Sequence, residues 1–115
     1  MSRPDEARLS DIVEAVGAIR DHLTRGDLHD GLVYDAVRVR LIEIGEAAKG
    51  ISPDLLDEAP GVPWKEIARM RDHLAHHYFD TDHAIVQDVV DNELDPLLDA
   101  VRSMIERTDQ DDDVS

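Results

Sequence analysis

An all-helical bundle is the fold this sequence predicts, on three observations. Apolar residues recur every three or four positions over several long stretches. No stretch alternates apolar with polar residues as a half-buried strand does. Apolar residues make up 42% of the 115 residues and aromatics only 3%, so the core is built from Leu, Ile, Val and Ala, the residues of packed amphipathic helices. The expectation is one antiparallel bundle of four to five helices over residues 1–107, with an unstructured acidic tail at 108–115.

The first helix is expected to start at Ser2-Arg-Pro-Asp5, a hydroxyl cap with proline and a carboxylate in the first turn. Leu9, Ile12, Val13, Val16, Ile19 and Leu23 give its apolar stripe, and Gly26 with the turn DLHDG closes it. The second helix is expected from about Leu32 to Lys49. Val33, Val37, Leu41, Ile44 and Ala48 form its stripe. Val39 and Ile42 lie off that stripe, so this helix is expected to bury more than one face, the extra one a candidate partner surface. Gly45-Glu46-Ala47-Ala48 is not a phosphate loop, because it lies inside this helix without the glycine spacing.

Gly50 ends helix two, and Ser52-Pro53 starts a short turn. Pro63 leads into helix three, Trp64 to about His77. Asp80-Thr-Asp82 is expected to cap the last helical stretch, whose stripe is Val86, Val89, Leu94, Leu97, Val101 and Met104. Pro96 removes a backbone donor, so that stretch is expected to kink or break there, with Asp95 capping a nearly collinear new helix.

Bulk composition excludes several chemistries. With no cysteine there is no disulfide, no thiolate nucleophile and no Cys-based zinc site. The opening MSRPDEARLS is polar, so neither a signal peptide nor a membrane span is expected and the cytoplasm is the default. The formal charge of −15 repels nucleic acid at long range, so any nucleic-acid footprint must be local.

Helix three carries an anomaly. On a wheel of about 100 degrees per residue, Trp64, Ile67, Ala68, Leu74, Ala75 and Tyr78 share one side, and Arg71 falls in its middle. A guanidinium there needs a carboxylate or an opening to water or to a second subunit. Glu43 and Glu46 of helix two are the candidate partners. His76 lies about 140 degrees from Arg71 on a regular helix, so the two cannot share a face. Either the helix loosens near His76, or a site is assembled across a two-fold axis. His73 and His77 have the spacing of a metal-binding pair, but no HExxH pattern or third ligand accompanies them. His22, His29 and His83 lie in or beside turns and carry no signal.

The motif Arg71-x-x-x-x-His76-x-Tyr78 resembles the R-x-x-x-x-H-x-Y motif of the HEPN superfamily. "RLIEIGEAAKGIS" (40–52), "VPWKEIARMRDHLAHHYF" (62–79) and "IVQDVVDNELDPLL" (85–98) resemble successive helices of HepT, the toxin half of the HEPN/MNT toxin–antitoxin systems. The resemblance implies a HEPN-like homodimer, possible higher assembly included, acting as a metal-independent endoribonuclease of a type VII-like pair, with no cofactor. It makes Arg71 and His76 catalytic. Tyr78 becomes the acceptor of AMP groups from a nucleotidyltransferase antitoxin. Relatives often carry an amide after the motif arginine, where this chain has Asp72. A carboxylate there can pair with a basic group and orient it, or weaken RNA binding. Lys65 and Arg69, with Arg38 or Arg40, are the candidate RNA-binding groups. The alternatives are a non-catalytic interaction module with Arg71 bridged to a helix-two glutamate, pairing with the same partner, and a metal-binding bundle using His73 and His77.

Overall fold

The computed structural model describes the backbone of residues 3–76 and 79–114 and the side chains of residues 4–76 and 82–107. Among the described residues there are six helices and no strand: α1 (Arg3–Leu23), α2 (Gly31–Gly50), α3 (Pro53–Leu56), α4 (Trp64–Ala75), α5 (Phe79–Asn92) and α6 (Leu94–Val114). This is the expected all-α bundle, with the Ser52-Pro53 turn as a helix of its own. Ser2, expected to cap α1, lies outside the described residues.

The α1 stripe folds as its spacing demands. Leu9, Ile12, Val16 and Ile19 are fully buried, with Val13 and Leu23 packed at the margin. They pack against α2, whose Val33, Val37, Leu41 and Ile44 are buried, in the most extensive helix pairing among the described residues. Asp30 caps α2, its carboxylate accepting from the Leu32 N–H at 2.9 Å and the Val33 N–H at 3.4 Å. Caps of this kind contribute about 0.5–2 kcal/mol. Asp5, only 5% exposed, accepts from both the N–H and the hydroxyl of Ser52, at 3.0 and 2.7 Å. That clip holds the start of α1 against the start of α3 and leaves the buried carboxylate satisfied.

The second buried face of α2 goes to α4, within the same chain. Of the two off-stripe residues that pointed to an extra buried face, Val39 stays half exposed and Ile42 packs partly against the core. Trp64 donates its indole N–H to the Ala59 carbonyl at 3.1 Å, pinning the loop before α4.

Two boundaries differ from expectation. Residues 80–82 do not precede α5 as a cap; the helix already begins at Phe79. Asp82 is 1% exposed and faces inward toward His73, which is why it cannot cap. The side chains of Asp80 and Thr81 lie outside the described residues. The break between α5 and α6 falls at Glu93, not at Asp95-Pro96. Pro96 is the third residue of α6, where its missing N–H would have had no helical acceptor anyway. Asp95 instead pairs with Arg20 of α1. The backbone of α6 stays helical through Val114, into the stretch expected as a tail, for no Gly or Pro interrupts it after Pro96.

Candidate functional site

α4 is amphipathic, but its buried residues are Met70 and Leu74, with Trp64 and Ile67 partly covered and Ala75 exposed. The centre of burial therefore lies about 60 degrees from Arg71 on the wheel. Arg71 sits at the edge of the packed face, not in its middle as the sequence reading had it, and its side chain is 31% exposed.

What brings Arg71 to α2 is a glycine. A Cβ built at Gly45 would lie 2.2 Å from the Arg71 Cβ, 3.0 Å from its Cγ and 3.2 Å from the Ile67 carbonyl oxygen. The absent methyl lets the two backbones approach, and the Arg71 stem lies across α2 at that point. The sequence signal for this contact was an isolated glycine inside a helical pattern, a position that commonly has a packing reason.

The guanidinium then reaches two carboxylates. It pairs with Glu46, one of the two candidates, while Glu43 is taken by Arg40 at 3.0 Å. Its second partner is Asp72, 3.1 Å from Nη1. Asp72 also accepts from Lys49 Nζ at 2.8 Å, so Lys49, Asp72, Arg71 and Glu46 form an alternating charge chain across the α2–α4 seam. Lys49 first, and then Arg71, hold the Asp72 carboxyl below the usual carboxylate range. Asp72 first, and then Glu46, make the Arg71 guanidinium still harder to deprotonate. The Arg71 Nε is buried and has no hydrogen-bond partner, so the cation's donors are only partly used.

His76 is exposed and ends α4, with φ −92° and ψ 0°. Regular helix stops at Ala75, and the His76 N–H donates to the His73 carbonyl at 3.2 Å, a tighter bond than that of an α-turn. The helix thus ends just short of the expected end at about His77. No hydrogen bond or ion pair joins Arg71 to His76 within the described residues. Tyr78 and His77 lie outside those residues.

The remaining basic candidates separate into two kinds. Lys65 and Arg69 are exposed, and neither is in an ion pair among the described residues. Arg38 instead donates to the Leu74 carbonyl, satisfying an acceptor at the C-terminal end of α4, and Arg40 is held by Glu43. Those two serve the fold, not an open basic strip. His73, half of the proposed metal pair, has its Nε2 3.4 Å from Asp82 Oδ1. His83 stacks on Tyr34 with ring centroids 4.8 Å apart. Burial first, then the charge of Asp82, pushes the Tyr34 phenol above its ordinary range. Among the described residues no three His, Asp or Glu side chains gather as a metal site would need.

Behind this seam a groove of about 630 Å³ opens between α4 and the α5–α6 pair, lined by Ile67, Met70, Val89 and Leu97 and edged by Arg69 and His73. No described helix is long and apolar enough to cross a membrane.

The sequence comparison decides the family. A family model described as Ribonuclease HepT-like matches residues 8–104. The chain belongs to that family. The matched span holds nearly all of the bundle, including Gly45, Glu46, Arg71 and His76. A Methanocaldococcus jannaschii protein whose name marks it as an inferred RNase is 36% identical over 88 residues, covering 76% of this chain and 73% of that protein. A Thermococcus cleftensis protein named a probable ribonuclease HepT is 35% identical over 101 residues, covering 84% of this chain and 92% of its own. No solved structure matches the chain. The HepT-like family is one of ribonucleases.

Proposed function

We propose that this HepT-like chain is a metal-independent endoribonuclease and the toxin half of a toxin–antitoxin pair, with Arg71 and His76 as its catalytic residues. The observation that carries the reading is the placement of Arg71. An always-charged, planar donor set sits at a partly exposed seam, fixed by a glycine contact, five residues ahead of an exposed imidazole at a helix end. RNA carries its own nucleophile, the 2′-hydroxyl. His76 takes that proton or delivers one to the leaving 5′-oxygen; an imidazole is the side chain suited to either at neutral pH. Arg71 stabilises the charge that builds on the phosphorane oxygens through paired N–H donors. Lys65 and Arg69 supply local backbone contacts on a molecule whose overall charge repels RNA.

Two copies meeting around a two-fold axis would bring two Arg71/His76 sets into one cleft. That arrangement answers the lack of any direct Arg71–His76 contact within a single chain. Tyr78 is the proposed acceptor of AMP from a nucleotidyltransferase antitoxin. The added phosphate and base would obstruct the cleft and repel the RNA backbone.

The test is RNA cleavage by the purified protein in chelator, beside His76→Ala. Cleavage by the first and a loss of about 100-fold or more in the second supports the enzyme. Equal rates, or no cleavage by either, count against it. The modification has a separate readout: intact mass rises in AMP steps after incubation with ATP and the nucleotidyltransferase, and Tyr78→Phe abolishes the rise.

A second reading keeps the family and the partner but not the catalysis. It is favoured by the two carboxylates that already occupy Arg71. On that reading Glu46 and Asp72 are the permanent partners of the guanidinium, and releasing them by Glu46→Gln and Asp72→Asn yields no cleavage.

A further inference from the structure

Two carboxylates are buried among the described residues, Asp5 and Asp82. Asp5 is accounted for by its clip to Ser52. Asp82, 1% exposed, is not part of any cap or loop; it is held inside α5 with Oδ1 3.4 Å from the Nε2 of His73. Burying a carboxylate is costly unless a partner faces it, and His73 is the side chain placed to do so.

His73 is used twice. Its ring faces Asp82 across to α5, and its carbonyl accepts the N–H of His76. Regular α-helical bonding has stopped one residue earlier, so this bond fixes where His76 leaves the helix. Along the rest of their length α4 and α5 are parted by the groove. Among the described residues, the His73–Asp82 contact joins α4 to α5. Arg71 is held differently, by the Gly45 contact and by Glu46, both on α2.

We propose that Asp82 is a positioning residue of the ribonuclease site, which acts through His73 to fix the helix end that carries His76. The inference rests on the ribonuclease reading and adds a residue outside its motif. Because Arg71 is anchored to α2, loss of the Asp82 tie disturbs proton transfer and leaves phosphate binding alone.

The experiment compares wild type, Asp82→Asn, His73→Gln and the double variant. Two quantities are read: steady-state cleavage of an RNA oligonucleotide in chelator, and hydrogen exchange at the His76 amide by NMR. Asp82→Asn should lower kcat about tenfold, as expected of a group displaced from its reacting partner. KM should change by no more than about twofold, since uniform binding is untouched. The His76 amide should exchange about tenfold faster while amides of α1 stay protected. The double variant should be no worse than the poorer single one, because both act through one contact. Unchanged kcat with unchanged His76 exchange overturns the proposal, as does a kcat loss that only follows the fraction unfolded. Should Asp82→Asn fail to fold, His73→Gln carries the same test, its side chain being 33% exposed. If the wild type cleaves no RNA, the ribonuclease reading fails on that arm. The exchange arm then decides the tie by itself: faster His76 exchange on loss of Asp82 upholds it, unchanged exchange sinks it.

Discussion

α2 offers one face to α1 and another to α4, and the two seams are built on opposite terms. Against α1 the contact is buried carbon: Leu9, Ile12, Val16 and Val37 are all at 0% exposure. Against α4 the contact opens into a chain of four charges, and the close approach depends on the absence of a side chain at Gly45. The first seam is redundant and dry. The second is narrow and wet, and its cation is partly open to solvent. One helix thus divides the molecule into a side that holds it folded and a side that carries the proposed phosphate-binding cation. Stability and activity should separate along that division.

The largest effect should come from breaking the dry seam. Ile12→Ala removes a fully buried side chain and should cost about 2–5 kcal/mol of stability. Chemical denaturation reads the loss, and cleavage per folded molecule should be little changed. Next is the point where the seams diverge. Gly45→Ala places a methyl against the stem of Arg71, with the Ile67 backbone just behind it. Overpacking of this sort costs about 1–3 kcal/mol, and here it should also lower cleavage, because α4 must move off α2 to make room.

Asp72→Asn sharpens the comparison from the other direction. It frees one side of Arg71. We expect a gain of about threefold to tenfold in kcat/KM, read as stronger RNA binding, since a like charge beside the phosphate is removed. Stability should hardly respond, as Asp72 and Lys49 are both about half exposed. The pH dependence follows in sign. The Asp72 pKa is depressed in the folded chain, so its contribution is present above the ordinary carboxylate value of about 3.9 and lost only as pH falls below it. Between about pH 5 and 8 Asp72 therefore stays ionised, and any bend of the rate profile in that window must come from another group.

Much of this division was legible before any coordinates. The stripes of α1 and α2 followed from spacing alone, and Glu46 was one of the two carboxylates that spacing offered to Arg71; carboxylate or opening for the guanidinium, and loosened helix or two-fold site for His76, were alternatives that spacing could not decide. The choice of Glu46 over Glu43 was not legible. It depends on Gly45, which sets the crossing point of α4 one residue before Glu46, and a crossing point is a property of two helices together. Asp82 was misread because Asp-Thr-Asp after a helix has the look of a cap. Only its partner, nine residues earlier on a different helix, turns it inward. The break at Glu93 was displaced from Pro96 for a local reason: proline is tolerated in a first turn, so it marks a helix start only to within a few residues. The central position given to Arg71 erred because a wheel shows which residues could share a face. It does not show which neighbours arrive to cover it.

The most direct measurement is the cleavage rate of Arg71→Ala, per folded molecule and in chelator, set beside its melting temperature. A fall of about 100-fold or more, with melting within a few degrees of wild type, is the predicted result, as expected when a group that stabilises transition-state charge is removed from a half-open seam. An unchanged rate, or a loss accounted for by unfolding, would contradict it.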